Sequence, residues 1–346
     1  MASWREILNR LVNGEDLAAD DTRWIMDQIL SGQATAVPMA AFLAGLRVKG
    51  ETTEEVAGLV DAMLEHAVRI SIPVRCVDLV GTGGDGANTV NITTMASIVT
   101  AGAGLTVVKH GNRAASSTTG SSDVLSELGI NLEATPGRVA ELATEVGITF
   151  CPAPVFHSSM RYVGPIRSEL GISTTFNILG PLTNPAQPES TAIGASSQAL
   201  APIIAGVLAS KGRAGMVFRG GDGLDELAAT APSTVWEVRD GKVEELVLNA
   251  VTDLGLPSIE TADLRGGDAS YNAAVVHRIL DGESGPVRDT VLLNAAAGIV
   301  ADGTLPGTGE GTFVERMRMA LVSARDSVDS GAAASVLSRW AAASHR

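Results

Sequence analysis

Gly81-Thr82-Gly83-Gly84-Asp85-Gly86 follows the apolar run Val77-Asp78-Leu79-Val80, and Lys109-His110-Gly111-Asn112-Arg113 follows Leu105-Thr106-Val107-Val108. Short apolar runs bounded by glycine read as buried parallel strands. Loops at the carboxyl ends of such strands are where open α/β sheets bind ligands. Two polar stretches extend the pair, Asn91-Ile92-Thr93-Thr94 and Ser116-Ser117-Thr118-Thr119-Gly120. Glycine lets backbone approach a phosphate, and free N–H groups at the next helix start bind the anion. Lys109 adds positive charge, and Asp85 offers a carboxylate on the metal side. The ligand indicated is phosphorylated, with more than one phosphate.

Working outward, strand-like runs recur near 76–80, 105–109, 148–152, 191–196 and 214–219, with helical patterns such as 137–146 and 199–210 between them. This alternation predicts an α/β fold with a mostly parallel central sheet flanked by helices. Residues 234–248 carry a hairpin signal around Asp240-Gly241, which places antiparallel strands at one end of the sheet. Residues 1–70 read as helices alone. Thr52 with Glu55 forms a capping-box pattern, and Pro38 suits the first turn of a helix running towards Lys49. The expected division is a small all-helical domain over 1–70 and a large α/β domain over 71–164 and 191–346. Residues 165–190, broken by Pro165, Gly171, Gly180, Pro181 and Pro185, form a crossover returning to the helical domain. From 268 onward the chain is mostly helical and alanine-rich.

A chain of 346 residues can bury a large core. Its net charge of −14 disfavours general binding to nucleic acid or anionic membranes, and 3% aromatic residues disfavour a stacking platform for single strands. Phosphate binding must therefore come from local geometry. Cys76 and Cys151, the two cysteines, read as buried free thiols in a reducing compartment. The N-terminus has no signal-peptide core and no charge-free apolar run reaches transmembrane length, so a cytoplasmic location is expected.

Each motif has a plain alternative. Gly81-x-Gly83-x-x-Gly86 matches the dinucleotide fingerprint, but Lys109-His110 stands where that fingerprint wants an acidic residue for the ribose. No Gly-Lys-Ser/Thr follows, so it is not a P-loop. Asn91, Thr93 and Thr94 could cap a helix, though capping accounts for one of the three. Lys109 could be a surface lysine or a ligand-binding one. His110 could orient its loop or touch substrate. Gly223-Leu224-Asp225-Glu226 could be an exposed helix start, or its carboxylates could bind magnesium bridging to phosphates. Arg167, within Gly164-Pro165-Ile166-Arg167-Ser168-Glu169, could pair with Glu169 or clamp a carboxylate bidentately.

Taken in order with Asn177-Ile178-Leu179-Gly180-Pro181-Leu182-Thr183-Asn184-Pro185 and Val291-Leu292-Leu293-Asn294-Ala295-Ala296, these motifs resemble the anthranilate phosphoribosyltransferase family over nearly the whole chain. The resemblance implies a helical domain and an α/β domain with the site between them, and a homodimer through the N-terminal helices. It also implies a magnesium-dependent glycosyltransferase (pentosyltransferase) joining the amine of anthranilate to the ribose C1 of phosphoribosyl pyrophosphate. By the same resemblance, phosphoribosyl pyrophosphate would be held by Gly81, Gly83, Gly84, Asp85, Thr89, Asn91, Thr93, Thr94, Lys109, Ser117, Thr118, Thr119, Gly120 and Ser121. Magnesium would lie at Thr93, Asp225 and Glu226. Anthranilate would be lined by Gly81, His110, Asn112, His157, Arg167, Gly180 and Pro181. Lys109 and Arg167 would carry the catalytic work.

Three departures stand out. Thr118 replaces a family lysine, Asn91-Ile92-Thr93-Thr94 replaces Asn-x-Ser-Thr, and Ser158 follows His157 where proline is common. The alternatives are a pyrimidine nucleoside phosphorylase on the same fold and a non-catalytic nucleic-acid-binding paralogue. The first lacks the Pro-Ile-Arg and Leu-Asp-Glu constellations, and the second is opposed by the acidic charge.

Overall fold

The computed structural model describes residues 3–112 and 118–346. Four helices open the chain: α1 (Trp4–Val12), α2 (Ala19–Leu30), α3 (Ala36–Lys49) and α4 (Thr53–Glu65). Thr52 and Glu55 form the expected reciprocal cap of α4. Then follow β1 (Val77–Gly81), α5 (Ile92–Gly102), β2 (Val107–Gly111), α6 (Ser121–Glu127), α7 (Pro136–Val146) and β3 (Ile148–Pro152). The chain leaves the sheet through α8 (Ala153–Phe156), a 3-10 turn at Ser158–Tyr162, α9 (Gly164–Leu170) and α10 (Phe176–Leu182). It re-enters as β4 (Ser190–Gly194), α11 (Ala201–Ser210), β5 (Ala214–Gly220), β6 (Ser233–Arg239) and β7 (Lys242–Leu248). Five helices complete it: α12 (Ala250–Leu254), α13 (Ala269–Leu280), α14 (Pro286–Asp302), α15 (Phe313–Asp329) and α16 (Ala332–Ser344).

Among the described residues the strands form one seven-stranded sheet in the order β3-β2-β1-β4-β5-β6-β7. It is parallel from β3 to β5 and antiparallel through β6 and β7. The β6–β7 turn holds Asp240 and Gly241 at φ of 51° and 73°, the left-handed pair that a two-residue hairpin requires.

Side chains alternate between two cores along each strand, as a period of two demands. Leu79, Ala192, Met216 and Phe218 face the core built with α5 and α13–α16. Val80, Ile193 and Val217 face the core shared with α1–α4, α10 and α11. Cys76 and Cys151 are free and buried, and burial pushes the Cys76 thiol up to about 12.

One boundary differs from the sequence reading. The sequence places the strand-like run near 105–109, yet β2 spans Val107–Gly111, because Lys109, His110 and Gly111 pair in register with Phe150, Cys151 and Pro152 of β3. Lys109 and His110 are strand residues, and consecutive strand residues point to opposite faces.

Candidate active site between the sheet and the helical layer

Lys109 points to one side of the sheet. It is 2% exposed, so the surface-lysine reading is excluded. Its Nζ donates to the Leu79 carbonyl at 2.6 Å. Burial lowers its pKa, while the charges of Asp78 and Glu226 raise it. This buried ammonium sits beneath the ends of β1 and β2.

Above it lies the glycine loop. Gly83, Gly84 and Gly86 adopt φ of 68°, 86° and 74°, where a side chain would be strained. The Gly83 N–H donates to Asp225 Oδ2 at 2.7 Å. A Cβ at Gly81 would stand 2.5 Å from that same oxygen, so glycine is what lets Asp225 approach.

Asp225 and Glu226 are 8% and 6% exposed and lie in irregular chain after β5, so they are not the exposed helix start considered from sequence. Burial, then the nearby charge of Asp85, pushes Asp225 up to about 7. Burial, then Asp225, raises Glu226 well above the usual carboxylate range, against the pull of Lys109. Among the described residues, Glu226 Oε2 and Asp85 Oδ2 are buried without a hydrogen-bond partner. Crowded, desolvated carboxylates with unpaired oxygens are the donor set that a hard divalent cation satisfies. Among the described residues no three His, Cys, Asp or Glu side chains form a closed metal cage. A cation held here therefore fits the magnesium pattern of a carboxylate or two plus substrate phosphates and water.

Asn91 stands at the N-cap position of α5, but its side chain makes no capping bond. Its Nδ2 donates instead to the Thr119 carbonyl at 3.1 Å, which joins the loops after β1 and β2. Thr94 Oγ1 is buried and has no partner among the described residues, and the Thr93 backbone N–H favours the charged form of Glu226. Thr89 forms an antiparallel bridge with Arg265. Thr118 is exposed, Gly120 caps α6, and Ser121 opens it. Ser117 lies outside the described residues.

His110 points to the other side. Its Nδ1 lies 3.0 Å from the Gly180 carbonyl, and its ring centroid 5.1 Å from that of His157. Burial, then the His157 ring, lowers its pKa to about 3, so it is a neutral imidazole, and its Nε2 has no partner among the described residues. His157 Nε2 pairs with the Thr183 carbonyl at 2.9 Å. Pro181 lies inside α10, next to Gly180. Arg167 makes no ion pair with Glu169 among the described residues. Its Nη2 donates to Asn177 Oδ1 at 3.3 Å and its guanidinium stacks 5.3 Å from the Phe176 ring centroid. Burial lowers its pKa, so this is a partly desolvated cation, and among the described residues it has no carboxylate partner. Asn112 follows β2, and its carbonyl accepts from Ser122 N at 3.3 Å.

Comparison with known proteins shows the family to which this fold belongs. Residues 5–67 match the helical bundle domain, and residues 74–334 the a/b domain, of a glycosyl transferase family. The chain is 57% identical over 343 residues to the anthranilate phosphoribosyltransferase of Streptomyces griseus, covering 99% of this chain and 96% of that one. It belongs to the anthranilate phosphoribosyltransferase family. The crystal structure of the Thermus thermophilus anthranilate phosphoribosyltransferase matches with a TM-score of 0.90 at 38% identity, covering 98% of this chain and 99% of that one. The Saccharomyces cerevisiae anthranilate phosphoribosyltransferase in complex with phosphoribosyl pyrophosphate and magnesium matches with a TM-score of 0.87 at 28% identity, covering 99% and 98%.

Sequence reasoning missed two buried polar residues that tie the elements of this candidate site together. Asp78 Oδ1 accepts from the His110 N–H at 3.2 Å, and its Oδ2 accepts from Asn184 Nδ2 at 2.8 Å. Asn184 Nδ2 also reaches the Val108 carbonyl at 2.7 Å. Together they fix β1, β2 and the chain after α10 to one another. Burial pushes Asp78 up to about 6, against the pull of Lys109. Its one sequence signal was an aspartate inside an otherwise apolar strand.

Proposed function

We propose that this chain transfers the 5-phosphoribosyl group from phosphoribosyl pyrophosphate to the amine of anthranilate. The products are N-(5-phosphoribosyl)anthranilate and pyrophosphate, the second step of tryptophan biosynthesis from chorismate. The observation that carries the reading is the split at β2. Lys109 lies beside Leu79 of β1 within the field of Asp78 and Glu226, and His110 reaches Gly180 of α10, the helix whose Asn177 and Phe176 hold Arg167. A charged pyrophosphate and a flat aromatic acid need opposite surroundings, and consecutive strand residues serve one each.

Gly83, Gly84, Asn91, Thr93, Thr94 and the 118–121 segment would hold the phosphates and ribose. Magnesium, bound at Asp225, Glu226 and the Thr93 position, would neutralise charge developing on the departing pyrophosphate. Lys109 holds the field around Glu226 from below and keeps the buried acidic cluster from being uncompensated. As C1 gains oxocarbenium character, anthranilate must already lie in line behind it. Arg167 would hold its carboxylate, with His110, His157, Gly180 and Pro181 lining the ring. Neutral His110 offers no competing charge to that carboxylate. Anthranilate is a neutral aromatic amine, so attack needs no strong base, and much of the acceleration is positioning.

The proposed domain division is 1–70, with the crossover 165–190, against 71–164 and 191–346. A homodimer through the N-terminal helices is supported by the exposed Val12, Val37 and Val48 on α1 and α3. A cytoplasmic location fits the biosynthetic role, and among the described residues no helix is long and apolar enough to cross a membrane.

The test is anthranilate fluorescence followed with purified protein, phosphoribosyl pyrophosphate and magnesium, with and without chelator. Loss of fluorescence that requires all three, and stops with chelator, is expected. Folded protein that leaves anthranilate untouched overturns the reading.

A further inference from the structure

Asn272 lies near the start of α13, far in sequence from either substrate loop, and is 2% exposed. Its Oδ1 accepts from the Gly267 N–H at 2.9 Å. Its Nδ2 donates to Asn91 Oδ1 at 2.8 Å. Asn91 Nδ2 then donates to the Thr119 carbonyl at 3.1 Å, and Thr119 Oγ1 donates to the Gly267 carbonyl at 2.8 Å. The four bonds close a ring that begins on the N–H of Gly267 and ends on its C=O.

The ring has one sense. A backbone N–H can only donate, so it fixes which end of the Asn272 amide faces Gly267. That places the Asn272 NH2 against Asn91, which must answer with its oxygen. The Asn91 NH2 is thereby turned to Thr119. An amide whose two ends are otherwise interchangeable is thus set by a residue 181 positions away. The backbone beside the ring is tied as well: Val90 N donates to the Leu264 carbonyl at 2.9 Å, and Gly266 N to the Asn88 carbonyl at 2.8 Å. A Cβ at Gly266 would stand 2.6 Å from the Thr89 carbonyl oxygen, so this approach depends on glycine.

We infer that Asn272, with Gly266 and Gly267, is a positioning device for phosphoribosyl pyrophosphate. It holds the Asn91 amide in one orientation and keeps the loops after β1 and β2 at a fixed separation. Asn272 acts through Asn91 and Thr119 and does not itself touch substrate. The inference rests on the proposed function, because it takes those loops to be the phosphoribosyl pyrophosphate site. It involves nothing on the His110 and Arg167 side, so its effect is specific to one of the two substrates.

The test compares wild type with N272D, N272A and G266A. N272D keeps the acceptor for Gly267 but replaces the donor with a second acceptor facing Asn91, which turns the Asn91 NH2 away from Thr119 and breaks the ring at the Thr119 carbonyl. N272A and G266A introduce no charge and keep the test available if N272D does not fold. Steady-state kinetics and calorimetry of phosphoribosyl pyrophosphate with magnesium are measured on each folded variant. At least a tenfold rise in KM and Kd for phosphoribosyl pyrophosphate is expected, with the anthranilate KM within twofold of wild type. In the N91A background, N272A should add little further loss. Folded variants that bind phosphoribosyl pyrophosphate like wild type overturn the inference, and so does an equal rise in both KM values. Wild type that neither binds phosphoribosyl pyrophosphate nor consumes anthranilate instead overturns the proposed function, which is a separable result.

Discussion

Arg167 is a cation that gives up part of its hydration for a single long bond to Asn177 and the face of Phe176. A carboxylate arriving there replaces lost water with charge-assisted hydrogen bonds, worth about 1.5–3 kcal/mol. R167A is therefore expected to raise the anthranilate KM roughly 10- to 100-fold. The KM for phosphoribosyl pyrophosphate should stay near wild type in the same assay, and an unchanged anthranilate KM would remove Arg167 from the clamp. His110 makes a different prediction, about stability. Its folded pKa of about 3 lies below its ordinary 6.5, so between these values the unfolded chain binds a proton that the folded chain refuses. Its contribution is complete above pH 6.5 and is lost as pH falls towards 3, with a slope approaching about 1.4 kcal/mol per pH unit. The surrounding groups are the His157 ring, the Lys109 ammonium and Asp78 at the His110 N–H. Asp78 acts in the opposite sense, because its raised pKa costs stability above about 6 and that cost is relieved as pH falls towards 3.8. Denaturant titrations of wild type and H110N at pH 7.5 and pH 4.5 separate the two. The acid loss should be smaller in H110N, and parallel pH curves would contradict a neutral buried imidazole.

At the level of elements, β1 and the segment after β5 meet only because two glycines leave room. The Asp225 carbonyl and carboxylate occupy the space where Cβ atoms at Gly194 and Gly81 would stand. G81A is expected to push Asp225 off the Gly83 N–H and to weaken phosphoribosyl pyrophosphate–magnesium binding at least tenfold by calorimetry. Retained affinity would mean that Asp225 does not need this approach. Local pattern made much of this layer legible. Apolar runs ending in glycine located the parallel strands, Asp240-Gly241 located the hairpin, and Thr52 with Glu55 located the start of α4. What the pattern missed depended on pairing across distance. The run read as a strand near 105–109 stops where polarity sets in, yet β3 extends the ladder through His110 to Gly111. Capping is the plain alternative for Asn91 from its place before a helix, but Thr119 and Asn272 hold its amide. Asp225 and Glu226 looked like a helix start, but the chain there stays irregular and draws them inward. Asp78 with Asn184, and Asn272 with Asn91, are contacts across 106 and 181 residues that no local window contains.

Across the whole molecule, the exposed valines give the assembly prediction. Val37 and Val48, at opposite ends of α3, are 80% and 89% exposed, and Val12 closes α1 nearby in the bundle. Large apolar side chains left in water on one small helical layer suit a covered face. Light scattering should find a dimer for wild type and a shift towards monomer for the double substitution V37E and V48E. Because both residues are already exposed in the protomer, the monomer should unfold within a few degrees of wild type. Monomeric wild type at micromolar concentration would rule out the helical interface.

The core beneath α1–α4 has a further consequence, for synthesis. Its buried members include Ile178 and Leu179 from α10, Ile204 and Leu208 from α11, Val217 from β5, and Trp236 and Val238 from β6. The first 65 residues therefore leave the ribosome long before the groups that complete their interior have been translated. The usual advantage of an early domain, folding while the rest is still being made, is denied to this one. A fragment of residues 1–70 should collapse without a cooperative melting transition, and nascent chains paused before β6 should hold open an apolar surface for a chaperone to find.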